Sequence, residues 1–332
     1  MKTRTFARTL ISAVVAALAV ASVSAQASTT SINLGNYSVT GVYSLGLTAG
    51  TGGAVSGLEA SAVAYARDRG TLFFVGDEGT GVIETTLTGQ TLGAMTFDWT
   101  NTGSSKHDTE GLTYVGNGQL VVSEERLYDA YKFSYVAGGS ASLANNGVSI
   151  SNAVVGNDGL EGLSYDPRNG SFVTVKQDVP EDILSGSLTF GANLTGTASM
   201  SNLFNPTLLN VTTFSDVQTL SPVDALIGTS AADNLLILSL GSRKLLEVTR
   251  TGQVLSSFDL TNVLAHNGIE GVTVDEKGNI YLVAEQIQDG IIPPNAASQL
   301  IVLTAAVPEP GTWAMLFAGL GLLGFTARRK KA

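Results

Sequence analysis

Between residues 37 and 304 the apolar segments are short, rich in β-branched and aromatic residues, and separated by Gly-bearing turns. That pattern predicts β-strands joined by hairpins. It also repeats. Glu110-Gly111-Leu112-Thr113-Tyr114, a turn at Gly116-Asn117-Gly118 and Gln119 to Glu125 form one copy. Glu161-Gly162-Leu163-Ser164-Tyr165, Asp166-Pro167-Arg168-Asn169-Gly170 and Ser171 to Lys176 form another. Glu270-Gly271-Val272-Thr273-Val274, Asp275 to Gly278 and Asn279 to Glu285 form a third. A looser copy runs from Ser61 through Gly70 to Glu78, and a degraded one lies between 216 and 260.

The outer half of the unit recurs as well. Val82 to Leu87, Thr88-Gly89-Gln90 and Thr91 to Trp99 match Lys244 to Val248, Thr251-Gly252-Gln253 and Val254 to Leu260. Each unit therefore reads as four antiparallel strands, A to D, and four strands per 40–50 residues is the signature of a β-propeller. Units starting near 61, 110, 161, 216 and 270 make five blades; a sixth is allowed if residues 179–233 hide one. A two-layer sandwich is the alternative, but it does not need the same Glu-Gly start in each unit. The last unit lacks a fourth strand, and Tyr37 to Leu45 is expected to supply it, closing the ring and removing two open sheet edges.

Composition narrows the function. The chain has no cysteine, which excludes disulfides, thiol catalysis and Cys-type zinc sites. Setting aside seven bases at the two ends and Glu309, residues 28–307 hold eleven bases against twenty-seven acids, a net charge of −16. Nucleic acid and anionic lipid are thus excluded as partners of this region. No Gly-x-Ser-x-Gly elbow and no phosphate-binding P-loop occurs.

The two ends read as addresses. Lys2, Arg4 and Arg8, the apolar run Leu10 to Val20 and the small residues around Ala25 and Ala27 predict a signal peptide over 1–27, cut by signal peptidase. At the other end, Pro308-Glu309-Pro310-Gly311, uncharged Thr312 to Ala327 and Arg328-Arg329-Lys330-Lys331 resemble the PEP-CTERM sorting signal of Gram-negative bacteria, over 307–332. The resemblance implies an exosortase partner, cleavage near Pro308-Glu309-Pro310, and delivery to the envelope, outer surface or extracellular matrix. Thr312 to Ala327 is expected to be a short transmembrane helix, with the terminal bases cytoplasmic. Gly319, Gly321 and Gly324 weaken it, as suits a transient anchor; a permanent anchor is the alternative.

The region between, 28–306, is expected to be a monomeric propeller domain. Its Glu-Gly-Leu starts, its Asp166-Pro167-Arg168-Asn169-Gly170 turn and its Ser123-Glu124-Glu125-Arg126 strand end resemble the SdiA-regulated family of bacterial propellers. Phytase-like esterase propellers share the Glu-Gly-Leu style. Blades one and four depart from the pattern: Ser61 stands where Glu is expected, with Glu59 two positions ahead, and blade four has Gln218 or Thr219 and no Glu.

Because strand B runs antiparallel to strand A, the start of A and the end of B share one face. Glu110 is expected near Glu124, Glu270 near Glu285, Glu161 near Lys176 or Asp178, and Ser61 near Asp77 and Glu78. Carboxylates so crowded would raise one another's pKa or recruit a hard cation such as Ca²⁺. Gly111, Gly162 and Gly271 would let the backbones close in at the axis. The Glu residues could instead accept N–H bonds from the neighbouring blade, and Lys176 could neutralise them. His107 and His266 precede repeat Glu residues on the same face, where they could serve acid–base hydrolysis. Two functions stay open: a ligand- or partner-binding scaffold, and a metal-assisted, phytase-like or lactonase-like hydrolase.

Overall fold

The structure, a computed structural model, describes residues 29–151, 156, 159–177, 181–287 and 297–306. It is all-β: five four-stranded antiparallel blades around one axis. Blade one is Ala60–Ala66, Thr71–Gly76, Gly81–Thr85 and Thr91–Asp98. Blade two is Gly111–Gly116, Gln119–Glu124, Asp129–Ser134 and Gly147–Ser149. Blade three is Leu160–Asp166, Ser171–Lys176, Asp182–Thr189 and Thr197–Asn202. Blade four is Phe214–Thr219, Leu235–Ser239, Lys244–Val248 and Val254–Asp259. Residues 181–233 thus hold the outer half of blade three and the inner strand of blade four, not a sixth blade.

Blade five is Asn267–Val274, Ile280–Ile287 and Gln299–Ala305, completed by Tyr37–Ser44 from the start of the chain. Tyr37 pairs with Ala305 and Ser44 with Gln299, with a register shift between Val39 and Gly41. The buried Tyr37 hydroxyl donates to Gly278 O at 2.9 Å, so the closing strand is held at its hydroxyl as well as along its ladder. One feature exceeds the repeat. Ser140–Ser142, from the outer part of blade two, lies parallel against Thr96–Asp98 and covers the outer edge of blade one.

The apolar runs are explained by packing. Each B strand is covered by a blade on both faces, so its residues need not alternate with polar ones. In Leu72-Phe73-Phe74-Val75, Phe73 packs toward blade two with Leu112, Leu120 and Val122. Phe74 packs the other way, with Tyr281 and Val283 of blade five. Similar layers join blades two and three (Val121, Leu163, Phe172), three and four (Val173, Val217, Ile237), and four and five (Leu236, Val272, Leu282).

At the axis the inner strands touch. A Cβ on Gly162 would lie 2.6 Å from Cα of Asp216, and one on Gly271 would lie 2.8 Å from Cα of Ala62. Only glycine fits those approaches. A belt of side chains then links the blades. Thr113 Oγ1 accepts from Tyr165 N at 3.0 Å, Ser164 Oγ from Thr219 N at 3.0 Å, and Thr273 Oγ1 from Tyr65 N at 3.1 Å.

Candidate functional site: an acidic channel mouth

Strand A starts at one mouth of the channel, and the end of strand B and the loop entering the blade arrive there too. Glu110, Glu161 and Glu270 stand at that start in blades two, three and five, only 9%, 3% and 8% exposed. Burial pushes all three carboxyl groups well above the usual range. Their mutual charge adds to it: Glu161 and Glu270 act on Glu110, Glu125 and Glu270 on Glu161, and Glu285 and Asp77 on Glu270. Among the described residues nothing donates a hydrogen bond to the Glu110 carboxylate.

A second set surrounds them. Burial pushes Glu125 up to about 7, although Gly159 N donates to its Oε1 at 3.1 Å. Asp108 is buried beside it and ion-paired to Arg126 Nε at 2.5 Å. Burial, then Glu59, pushes Asp77 up to about 8. The ligating atoms of Glu59, Asp77 and Glu78 lie within 4.8 Å of one another. Asp77 Oδ1 is buried there without a hydrogen-bond partner. Such a set, oxygen only and anionic, suits a hard cation such as Ca²⁺ rather than a soft one.

The expected residues do not all meet. Glu124 faces away from the channel: its Oε1 accepts from Ser104 Oγ and its Oε2 from Leu127 N, both at 2.7 Å. The period of two explains this, since Glu124 pairs with Asp129 on the strand while Glu125, one residue on, turns to the axis. Matching Val283-Ala284-Glu285 to Ser123-Glu124-Glu125 gives the same answer. Lys176 occupies the Glu124 position and pairs across the strands with Asp182, whose carboxyl burial raises while Lys176 opposes the rise. Asp178 lies outside the described residues. His266 is exposed on the loop before blade five. His107 is half-buried with φ 62° and stacks on Trp99, ring centroids 5.0 Å apart. His107, Trp99 and Glu78 share a cleft of about 600 Å³ at the rim.

Blade four holds what the sequence pattern hid. Ser215 stands at the Glu position and Asp216 at the Gly position, because Val217 matches Leu163 and Val63 in the contacts at the axis. Asp216 is fully buried, and its Oδ2 accepts from Val272 N of blade five at 2.7 Å. Burial raises its carboxyl well above the usual range, against backbone N–H bonds from Val272, Val217 and Leu163. The acceptor role toward neighbouring blades thus belongs to Asp216, not to Glu110 or Glu270.

A family model described as SdiA-regulated matches residues 45–286, spanning the blades that build this mouth. The chain belongs to the SdiA-regulated family. A model of the PEP-CTERM protein-sorting motif matches residues 306–330, and the motif implies export and exosortase sorting to the envelope of a Gram-negative bacterium. The expected helix over 312–327 lies outside the described residues, as do residues 1–27 and Pro308, Glu309 and Pro310; among the described residues no helix is long and apolar enough to cross a membrane. Of the solved structures, Myxococcus xanthus glutaminyl cyclase is 12% identical with a TM-score of 0.51, covering 82% of this chain and 97% of that one. A luciferin-regenerating enzyme is 10% identical with a TM-score of 0.46, covering 81% and 96%. A nidogen/laminin complex chain is 12% identical with a TM-score of 0.45, covering 73% and 83%. At 12% identity the likeness to the cyclase is one of fold alone.

Proposed function

We propose that this SdiA-regulated protein is an exported propeller of the outer surface or extracellular matrix, cut after residue 27 and again near Pro308-Glu309-Pro310, whose channel mouth binds a divalent cation and through it an anionic ligand or partner. The observation that carries this reading is the meeting of Glu110, Glu161 and Glu270. Three buried carboxylates facing one another are costly unless they keep protons or hold a cation. Glu125, Glu285 and Asp77 add more negative charge than Arg126 offsets. A calcium ion would take oxygens from Glu59, Asp77 and Glu78, whose ligating atoms lie within 4.8 Å of one another, with the charges of the buried Glu residues beside it. Metal analysis of the purified protein, with melting curves in Ca²⁺ and in chelator, tests the reading. Bound metal and a melting temperature that falls in chelator support it; a metal-free protein with identical curves sinks it.

A second reading, metal-assisted hydrolysis, draws support from the rim cleft. There His107 stands beside Glu78, whose carboxylate belongs to the Glu59, Asp77 and Glu78 group. A general base next to a cation-bound ester is the geometry such hydrolysis needs. Hydrolysis of a nitrophenyl ester or phosphate by the calcium-loaded protein, abolished in His107→Ala, would favour it over binding alone.

A further inference from the structure

We propose that the opposite end of the channel is a second binding site, for a small organic cation with an aromatic or apolar body. The site does not depend on the acidic mouth. The inter-blade belt and buried Asp216 lie between the two.

The turns between strands A and B surround this end. Tyr65, Tyr114 and Tyr165 follow the belt residue at the same repeat position in blades one, two and three. They line a cavity of about 510 Å³, together with Pro167 and Pro222. That is the size and apolar character of small-molecule sites. The polar floor comes from Thr113, Gln218 and Thr273 of the belt.

The charge at this end is negative. Asp68 and Glu276 stand on the wall, while Arg67, also lining it, is held by Asp224 through two bonds of 2.8 and 2.9 Å. Its charge is therefore already met. Burial raises the Glu276 carboxyl, but the Tyr65 hydroxyl, backbone N–H, Lys277 and Arg67 outweigh it and hold the group below its ordinary range, so it stays ionised. Even so, Glu276 Oε2 is buried with no hydrogen-bond partner. A buried carboxylate oxygen without a donor is an unmet cost, and a ligand ammonium would meet it. Burial, then the bond to Asp68, pushes the Tyr114 hydroxyl up to about 12, so this phenol stays neutral and adds no charge of its own. Aromatic rings beside carboxylates are the chemistry that recognises organic cations and repels anions of the same shape.

Calorimetric titration of the purified protein with phenethylamine near neutral pH, beside 3-phenylpropionate, tests the assignment. The amine should bind at least about tenfold more tightly than the acid, and Glu276→Gln should weaken it by about tenfold or more. The double variant Glu110→Gln, Glu270→Gln should bind the amine as the wild type does, which separates this site from the mouth. Equal binding of amine and acid, no binding of the amine, or a loss that follows the mouth variant instead of Glu276→Gln overturns the proposal. If Glu276→Gln does not melt as the wild type does, Tyr165→Ala takes its place, with the same loss expected and an unchanged affinity counting against the site.

Discussion

Asp216 of blade four accepts the backbone N–H of Val272 in neighbouring blade five at 2.7 Å, beside the axis of the ring. It also receives N–H bonds from Val217 and from Leu163 of blade three. One side chain thus ties three inner strands at the place where blades two, three and five carry glycine and blade one carries Ala62. Removing it would leave buried donors unpaired, each at about 1–3 kcal/mol. Asp216→Ala should therefore destabilise the protein by roughly 3 kcal/mol or more, and Asp216→Asn by less, since its amide oxygen still accepts. Urea unfolding measures both. An alanine variant as stable as the wild type would show that the tie contributes nothing.

The mouth predicts an unusual pH dependence. Glu125 is pushed up to about 7 and Asp77 to about 8, and Glu110, Glu161 and Glu270 are raised as well. In the unfolded chain these groups lose protons near pH 4–4.5. Between that pH and about 8 the folded state therefore holds more protons, and apo stability falls as pH rises. Binding a cation expels those protons, so Ca²⁺ affinity should rise through the same window. Chelator-treated protein whose melting temperature is flat from pH 5 to 8 would contradict the raised cluster.

Neutralising two of the carboxyl groups tests the same balance from the other side. Glu110→Gln with Glu270→Gln keeps the size and removes two buried charges. Burial disfavours the ionised form of both groups, so the apo variant should be more stable than the wild type at pH 8. Divalent-cation affinity should drop by roughly 100-fold, since affinity follows ligand charge. A loss of apo stability in the variant would mean that these groups serve as acceptors in the fold.

Sorting is tested in the native host. Pro308, Glu309 and Pro310 replaced by alanine should leave the C-terminal segment uncut and the protein in the membrane fraction. An unchanged mature mass would rule out processing at this motif.

The fold was legible because a propeller repeats itself. Glu110, Glu161 and Glu270, read as one repeat position, do converge, and Tyr37 to Ser44 does complete the last blade. The second ring of the site was harder to see. Glu124 and Glu125 are adjacent, and only the strand's period of two, fixed by the pairing of Glu124 with Asp129, decides which one faces the axis. Glu59 reaches the cluster through a left-handed backbone, φ 52°, that a repeat alignment does not encode. Asp216 was missed because it stands one position off the Glu register, in the blade whose repeat is most worn. The cavity at the far end arises from turns of different length and composition, so no single motif marks it.

The closing strand is pinned by more than its pairing. Upstream of Tyr37, residues 31–33 run to buried Glu247 of blade four. Its carboxylate accepts from Ser31 Oγ at 2.5 Å, Ile32 N at 2.9 Å and Asn33 N at 3.2 Å. Asn234 Nδ2 and Ser256 Oγ, both at 2.8 Å, complete the set. Leu34, fully buried, packs into the layer between blades four and five. The N-terminal segment therefore bridges the two blades that its strand helps to close. Glu247→Ala would remove the acceptor of five donors, of which Asn33 N still reaches Ser31 Oγ at 2.9 Å, while Glu247→Gln keeps one acceptor oxygen. The alanine variant should lose roughly 3 kcal/mol and the glutamine variant less, with cleavage by added protease rising first at residues 29–36. Loss of this anchor frees the edge of Gln299–Ala305, so the alanine variant should also associate more readily at high concentration. A Glu247→Ala protein that melts with the wild type and resists protease equally would show that strand pairing alone holds the ring shut.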